Sequence, residues 1–419
     1  MRDMKAIVIG SGGREDALSY KVLQSPQLTR LYCLPGNGGM ARRGEIINRK
    51  IEEVPIIAKE LGIDFVIVGP EAPLWDGIVE KCEALGIPAF GPDSKGAQLE
   101  GSKVFAKRFM KKYDIPTANF EVFSEYEKAL DYIKENGLKV IKADGLAAGK
   151  GVVIPESFEE ARDTLYKFMV EKTLRKSGEQ VVLEDILSGR EVSCFIITDG
   201  KDYRFLPIAQ DYKRIYEGNK GPNTGGMGSI APVELGESLI KKIKSKIIEP
   251  TLEGLQRENI TYKGVIYFGL ILVKDEPYVL EYNVRFGDPE TQAIIPIIDG
   301  DLLQFMYETV HSKLPSSGLS ITHKYSCCVV LASSGYPGPY ETGKEITGLD
   351  NVTEGVVFHA GTKWENNKLL TNGGRVLDVV GQGETLKIAK EKAYKAIKYI
   401  HFENMLYRRD IGEDSNING

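Results

Sequence analysis

Four short apolar runs, Lys5-Ala-Ile-Val-Ile9, Leu31-Tyr-Cys-Leu34, Phe65-Val-Ile-Val-Gly69 and Pro88-Ala-Phe-Gly91, punctuate the first hundred residues, with helix-like segments between them. Runs of this kind bury both faces of a strand, and strands separated by helices pair in parallel as βαβ units. Residues 1–101 are therefore expected to form an N-terminal α/β domain with a parallel, Rossmann-like sheet. At 419 residues the chain is too long for one simple core, so further domains follow. Over 102–322 the pattern changes to longer strands joined by glycine-rich loops, with helices predicted from Phe158 to Val170 and from Gly236 to Glu258, a mixed α+β unit. From 323 to 419, strand-like runs Tyr325–Ala332, Gly355–Ala360 and Arg375–Val380 precede a helix from Thr385 to His401, which predicts a small C-terminal α+β domain with a frayed polar end.

Composition excludes several classes of function. With 42% hydrophobic and 27% charged residues and a net charge of -5, the chain reads as a soluble globular protein without the basic surface of a nucleic-acid binder. The run Lys241-Lys-Ile-Lys-Ser-Lys246 reads as a solvated helix face. No apolar run approaches the roughly 18 residues that span a bilayer, and Ala6–Ile9 runs straight into a glycine loop, as a first strand does and a signal peptide does not. Five cysteines without Cys-x-x-Cys spacing fit a reducing cytoplasm, and four scattered histidines offer no zinc pattern.

The chemistry is expected in the loops. Gly10-Ser-Gly-Gly-Arg-Glu15 joins the first strand to a helix, where backbone N–H groups can hold a phosphate. It fails the dinucleotide fingerprint at Glu15, which disfavours a nicotinamide enzyme. Pro35-Gly-Asn-Gly-Gly39 and Gly69-Pro-Glu-Ala-Pro73 follow later strands of the same sheet, at the ends where ligands usually bind. Gly10, Gly12, Gly13, Arg14, Glu15, Pro70 and Glu71 are the candidates here. Lys142-Ala-Asp-Gly-Leu-Ala-Ala-Gly-Lys-Gly151 is not a P-loop, yet its lysines and glycines, with Gly149, Lys150 and Gly151 at the end, can close over a polyphosphate. Glu184 and Glu191 flank an apolar hinge that can line a purine and its ribose. Asp211 and Lys213 lead into Gly221-Pro-Asn-Thr-Gly-Gly-Met-Gly228, where Asn223, Thr224, Gly225 and Gly226 allow close approach to a small ligand.

In Tyr278-Val-Leu-Glu-Tyr-Asn-Val-Arg-Phe-Gly-Asp-Pro-Glu-Thr-Gln292, residues Glu281, Asn283 and Arg285 alternate and so share one face of a strand. A carboxylate, an amide oxygen and a guanidinium side by side suit a magnesium ion carrying phosphates. From this segment alone, an edge strand with ordinary surface polars remains the alternative.

Together, Gly10–Glu15, Gly69-Pro-Glu-Ala-Pro-Leu74, Leu99-Glu-Gly-Ser-Lys103, Lys142–Gly151, Gly221–Gly228, Arg285–Gln292 and Thr371-Asn-Gly-Gly-Arg-Val376 resemble the ATP-grasp enzymes and, among them, the glycinamide ribonucleotide synthetase family, in order and almost end to end. The resemblance implies a central ATP-grasp unit with a lid subdomain at about 116–188. It also implies a reaction in which ATP, glycine and 5-phosphoribosylamine give glycinamide ribonucleotide, ADP and phosphate through a glycyl phosphate. By position in the motifs, Lys103 and Lys142 would meet ATP phosphates, Glu184 and Glu191 the nucleoside, and Glu281 and Asn283 a Mg2+ or Mn2+ ion. Arg285, Asp211, Lys213 and Asp288 fall on the substrate side, and a monomer or weak dimer is expected. The family usually has His after Gly-Gly-Arg-Glu, whereas this chain has Asp16, an acid that would repel a nearby phosphate; no ligand role is carried onto it. A binding protein that has lost catalysis, or an ATP-grasp ligase for another small acid, are the alternatives.

Overall fold

The computed structural model describes residues 3–145, 151–315 and 319–413. Its N-terminal sheet comprises β1 (Met4–Gly10), β2 (Leu28–Pro35), β3 (Glu45–Ile46), β4 (Phe65–Val68) and β5 (Ala89–Phe90), in the order β3-β2-β1-β4-β5 and all parallel. Both faces are covered, as the uninterrupted apolar runs require: Ile7 and Ile9 join one hydrophobic cluster, Ala6 and Val8 another. The order reverses around β1, so the loops that leave β1 and β4 open into one crevice. The first leads into helix α1 (Gly13–Val22).

Residues beyond the helix Lys103–Lys112 form two antiparallel sheets. The first holds β6 (Phe120–Phe123), β7 (Val140–Ala143), β8 (Val152–Val153) and β9 (Val181–Glu184) in the order β6-β9-β7-β8, backed by the helices Tyr126–Asn136 and Phe158–Leu165. The second comprises β10 (Arg190–Thr198), β11 (Tyr203–Phe205), β16 (Gly264–Val273) and β17 (Glu276–Asn283), in the order β11-β10-β16-β17. Between β11 and β16 lie β12 (Gln210–Asp211), the hairpin β13 (Arg214–Tyr216) and β14 (Lys220–Asn223), and β15 (Gly228–Ala231). The lysine-rich run falls on the helical stretch Glu237–Arg257, where Lys242 and Lys246 both pair with Glu276.

After the short pair β18 (Ile298–Asp299) and β19 (Ser320–Ile321), the C-terminal part holds β20 (Tyr325–Ser333), β21 (Val356–His359), the hairpin β22 (Thr362–Glu365) and β23 (Lys368–Thr371), and β24 (Arg375–Gly383). A helix Leu386–Ile397 follows, capped by Thr385, whose hydroxyl accepts from Ile388 N, and a last strand β25 (Met405–Leu406) pairs with β20. The main sheet of this part runs β12-β15-β20-β24-β21. Two strands from the central segment thus belong to it, so a boundary drawn at 322/323 cuts through a continuous hydrogen-bonded sheet. Strand pairing across a hundred residues leaves no mark on local periodicity, which is why the sequence suggested a separate domain there.

Candidate active site

A cavity of about 480 Å³ lies where the three parts meet. Arg14, Pro70 and Glu71 line it from the N-terminal loops, Lys103, Asp211, Glu281, Asn283 and Arg285 from the central unit, and Tyr336 and Arg375 from the C-terminal part. Strand β17 brings Glu281 and Asn283 to the cavity but ends at Asn283, so Arg285 reaches it from the following bend and not from the same strand face, as the alternation had predicted. Gly269 on β16 stands beside Glu281 and leaves room for its side chain.

Electrostatics mark Glu281. Burial works against its charge, yet Lys103, Lys213, Lys142 and Arg285 outweigh that cost and hold its carboxyl down at about 2. The Asn283 amide oxygen accepts from Arg285 Nη2 at 3.1 Å, and the amide nitrogen is buried with no hydrogen-bond partner among the described residues. One carboxylate fixed as an anion and one amide oxygen with a second lone pair beyond its bond to Arg285 fit a hard divalent cation that takes its remaining ligands from phosphates. Arg285 is itself gripped by Glu100 at 2.8 Å and by Glu71 at 3.3 Å, which ties the N-terminal loop to the central unit.

Beneath the cavity, Glu184 lies between two lysines, 2.8 Å from Lys107 and 2.9 Å from Lys142, with all three side chains almost wholly buried. Lys142 Nζ also donates to the Leu280 carbonyl. Burial lowers Lys107 to about 8 against the pull of Glu184. Lys107 was not among the residues singled out from the sequence; its signal was a lysine on the buried face of the helix Lys103–Lys112, beside Val104 and Met110. Glu191 pairs instead with Lys213 at 2.7 Å on a half-exposed rim. Lys213 is held up, since Asp211, Glu191 and Glu281 overcome its desolvation. Asp211 is raised by burial and by Glu290 beyond the relief that Lys213 gives. Glu290 Oε1 accepts from Ser193, which also meets the Tyr267 hydroxyl at 3.0 Å. Glu100, Glu290, Tyr267, Tyr336 and Arg375 all line the cavity; Glu100, Glu290 and Arg375 fall within the motifs above without an individual role, and Tyr267 and Tyr336 fall in none of them.

Not every N-terminal candidate faces the cavity. Glu15 turns back to accept from Gly12 N at 2.6 Å and from Arg14 Nε, so it fixes the loop and aims Arg14, whose Nη1 donates to the Phe286 carbonyl. Gly10, Gly12 and Gly13 shape this turn without lining the cavity, and Gly69 has no Cβ because one would lie 2.1 Å from Glu15 Oε1. The Pro35–Gly39 loop does not line the cavity: Asn37 donates to the carbonyls of Ser11 and His359 and accepts from Gly39 N and Met40 N, which turns the loop into a joint with the C-terminal part. Asp16 likewise points away, fully buried, onto Arg43 at 2.6 Å and the His359 amide at 2.8 Å. Thr224, Gly225 and Asp288 line the cavity, whereas Asn223 and Gly226 do not; Arg375 binds the Gly225 carbonyl at 2.7 Å and Asp288 at 3.2 Å. Gly151 lines it also, and Gly149 and Lys150 lie outside the described residues.

A lid sheet and a cleft sheet with buried lysines between them, set against an N-terminal parallel sheet, define an ATP-grasp enzyme. The family descriptions that match are phosphoribosylglycinamide synthetase N domain over residues 4–100, ATP-grasp (A) domain over 101–291 and C domain over 326–414. The phosphoribosylamine–glycine ligase of Caldanaerobacter subterraneus subsp. tengcongensis is 46% identical over 413 residues, covering 97% of this chain and 99% of that one. The crystal structure of phosphoribosylamine–glycine ligase from Thermotoga maritima superposes with a TM-score of 0.87 at 38% identity, covering 97% of this chain and all of that one. The biotin carboxylase domain of Hydrogenobacter thermophilus 2-oxoglutarate carboxylase, solved with MgADP and bicarbonate, shares the fold alone, with a TM-score of 0.73 at 16% identity, and covers 97% of this chain and 92% of that one. The chain belongs to the phosphoribosylglycinamide synthetase family. Among its described residues no helix is long and apolar enough to cross a membrane.

Proposed function

We propose that the chain joins glycine to 5-phosphoribosylamine at the expense of ATP in the three-sided cavity, as a phosphoribosylamine–glycine ligase of purine biosynthesis. The observation that carries this reading is Glu281, ionised despite burial and ringed by Lys103, Lys213, Lys142 and Arg285. That arrangement suits phosphoryl transfer, in which positioning and charge neutralisation do most of the work.

Lys142 and Lys107, balanced by Glu184, contact ATP phosphates from below, and Lys103 does so from the rim. Glu281 and Asn283 would hold Mg2+ or Mn2+, and the ion would supply positive charge that offsets the negative charge of the phosphates during transfer. Asp211 and Glu290 receive the glycine ammonium, while Arg285 and Lys213 face its carboxylate. The γ-phosphoryl group moves to a glycine carboxylate oxygen and ADP leaves. The phosphoribosylamine nitrogen then attacks the acyl carbon; a C–N bond forms, the bond to the phosphate oxygen breaks, and the amine gives up a proton to a nearby carboxylate. Arg14, Arg375 and the Thr224–Gly225 backbone hold the phosphate of this second substrate, with Asp288 beside its amine.

ADP release measured with glycine alone, with phosphoribosylamine alone and with both tests the proposal. Turnover that requires both supports it, and turnover with another small acid in place of glycine overturns it.

A further inference from the structure

The half of the cavity formed by Arg14, Arg375 and Asp288 has a support behind it that neither the motifs nor the lining residues include. Asp378, on β24 three residues beyond Arg375, is 1% exposed and does not line the cavity. Its Oδ2 accepts from Gln292 Nε2 at 3.0 Å, and the same nitrogen donates to Asp288 Oδ1 at 2.8 Å. Gly13 closes the site from the N-terminal part, because a Cβ there would lie 1.8 Å from Asp378 Oδ2. One amide nitrogen thus bridges a carboxylate of the C-terminal sheet and a carboxylate at the cavity wall.

An amide group presents nitrogen on one side and oxygen on the other, and a half-turn of its terminal torsion exchanges them. Asp378 permits only the nitrogen to face it. The second N–H of Gln292 is thereby aimed at Asp288. Without Asp378, Asp288 alone selects the orientation, and the amide loses one of the two carboxylates that hold it in place. Held as it is, Asp288 keeps Oδ1 engaged by Gln292 and by Arg375 at 3.2 Å, while its Oδ2 lies 3.5 Å from Arg14 N at the start of α1. Arg375 and Arg14 keep Asp288 low against its burial, whereas burial and the neighbouring Asp288 push Asp378 up.

We propose that Asp378 is a positioning residue: acting through Gln292, it fixes Asp288 for the amine substrate. This rests on the assignment of that half of the cavity to phosphoribosylamine. Asp378→Leu removes the acceptor while keeping the branched shape and raises KM for phosphoribosylamine about tenfold or more, as loss of orientation does, while KM for ATP and for glycine stays within about twofold. Asp378→Asn, whose amide oxygen can still accept from Gln292, restores KM to near the wild-type value. Gln292→Leu reproduces the defect, and the double variant Asp378→Leu/Gln292→Leu is no worse than either single one, since both cut the same connection.

Steady-state kinetics of the four variants, with thermal melting of each to separate misfolding from misplacement, decide it. Equal changes in all three KM values, an Asp378→Asn variant as impaired as Asp378→Leu, or additive single effects overturn the proposal. Wild-type protein that fails to use phosphoribosylamine at all overturns the functional reading instead, before any variant is compared.

Discussion

Lys107 Nζ lies 2.8 Å from Glu184 Oε2, with both side chains almost completely buried, and the other oxygen of Glu184 meets Lys142. A single carboxylate therefore serves two lysines below the ATP-grasp cleft and offsets one of their two charges. Removing one member of a buried charge group costs more than the group gains, because the remaining charges lose their compensation.

Glu184→Leu strands both lysines, so it should destabilise the protein by about 3–5 kcal/mol. Lys107→Met leaves Glu184 paired with Lys142 and should cost less than half as much, while it raises KM for ATP about tenfold through the loss of one phosphate contact. Urea unfolding and ATP kinetics on the two variants check the order; equal destabilisation contradicts it.

Glu281→Gln keeps size and shape but removes the anion that the surrounding cations hold at about 2. Turnover should fall by roughly two orders of magnitude or more, through lost compensation of metal charge. A titration of turnover with Mg2+ is the check, and near-normal activity at saturation refutes the assignment to metal.

Gly13→Ala places a methyl group 1.8 Å from Asp378 Oδ2 and 2.5 Å from Gln292 Nε2. The N- and C-terminal parts must then separate, which should cost about 1–3 kcal/mol as an overpacked site does. Combining it with Asp378→Ala makes room and should recover more than half of the loss, a coupling that melting curves of the single and double variants measure.

His359, 5% exposed, is lowered to about 4 by burial, although Asp16 beside it pulls the other way. Unfolded, it titrates near 6.5. Between those values the unfolded chain binds the extra proton and the folded one does not. Stability therefore falls as pH drops from about 6.5 to 4, by roughly 3 kcal/mol from this group. Since carboxylates titrate in the same range, the test is the difference between wild type and His359→Gln: the gap in urea midpoint should narrow in favour of the variant as pH goes from 7 to 4. A gap independent of pH rules the effect out.

By itself, the sequence determined the parallel sheet, through apolar runs that only burial on both faces accounts for, and the long helices, through their periodicity. It also marked Glu281 and Asn283, because strand alternation is a local rule and needs no knowledge of what faces the strand. Only the tertiary structure decided which candidates meet. It turned Glu15 and Asp16 away from the cavity, made Asn37 a joint, and lent β12 and β15 to the C-terminal sheet. It also brought Lys107 to Glu184 across 77 residues and Asp378 to Gln292 across 86. The physical reason is the same throughout: periodicity reports whether a residue is buried, whereas the partner of a buried charge is set by the packing of elements that are remote along the chain.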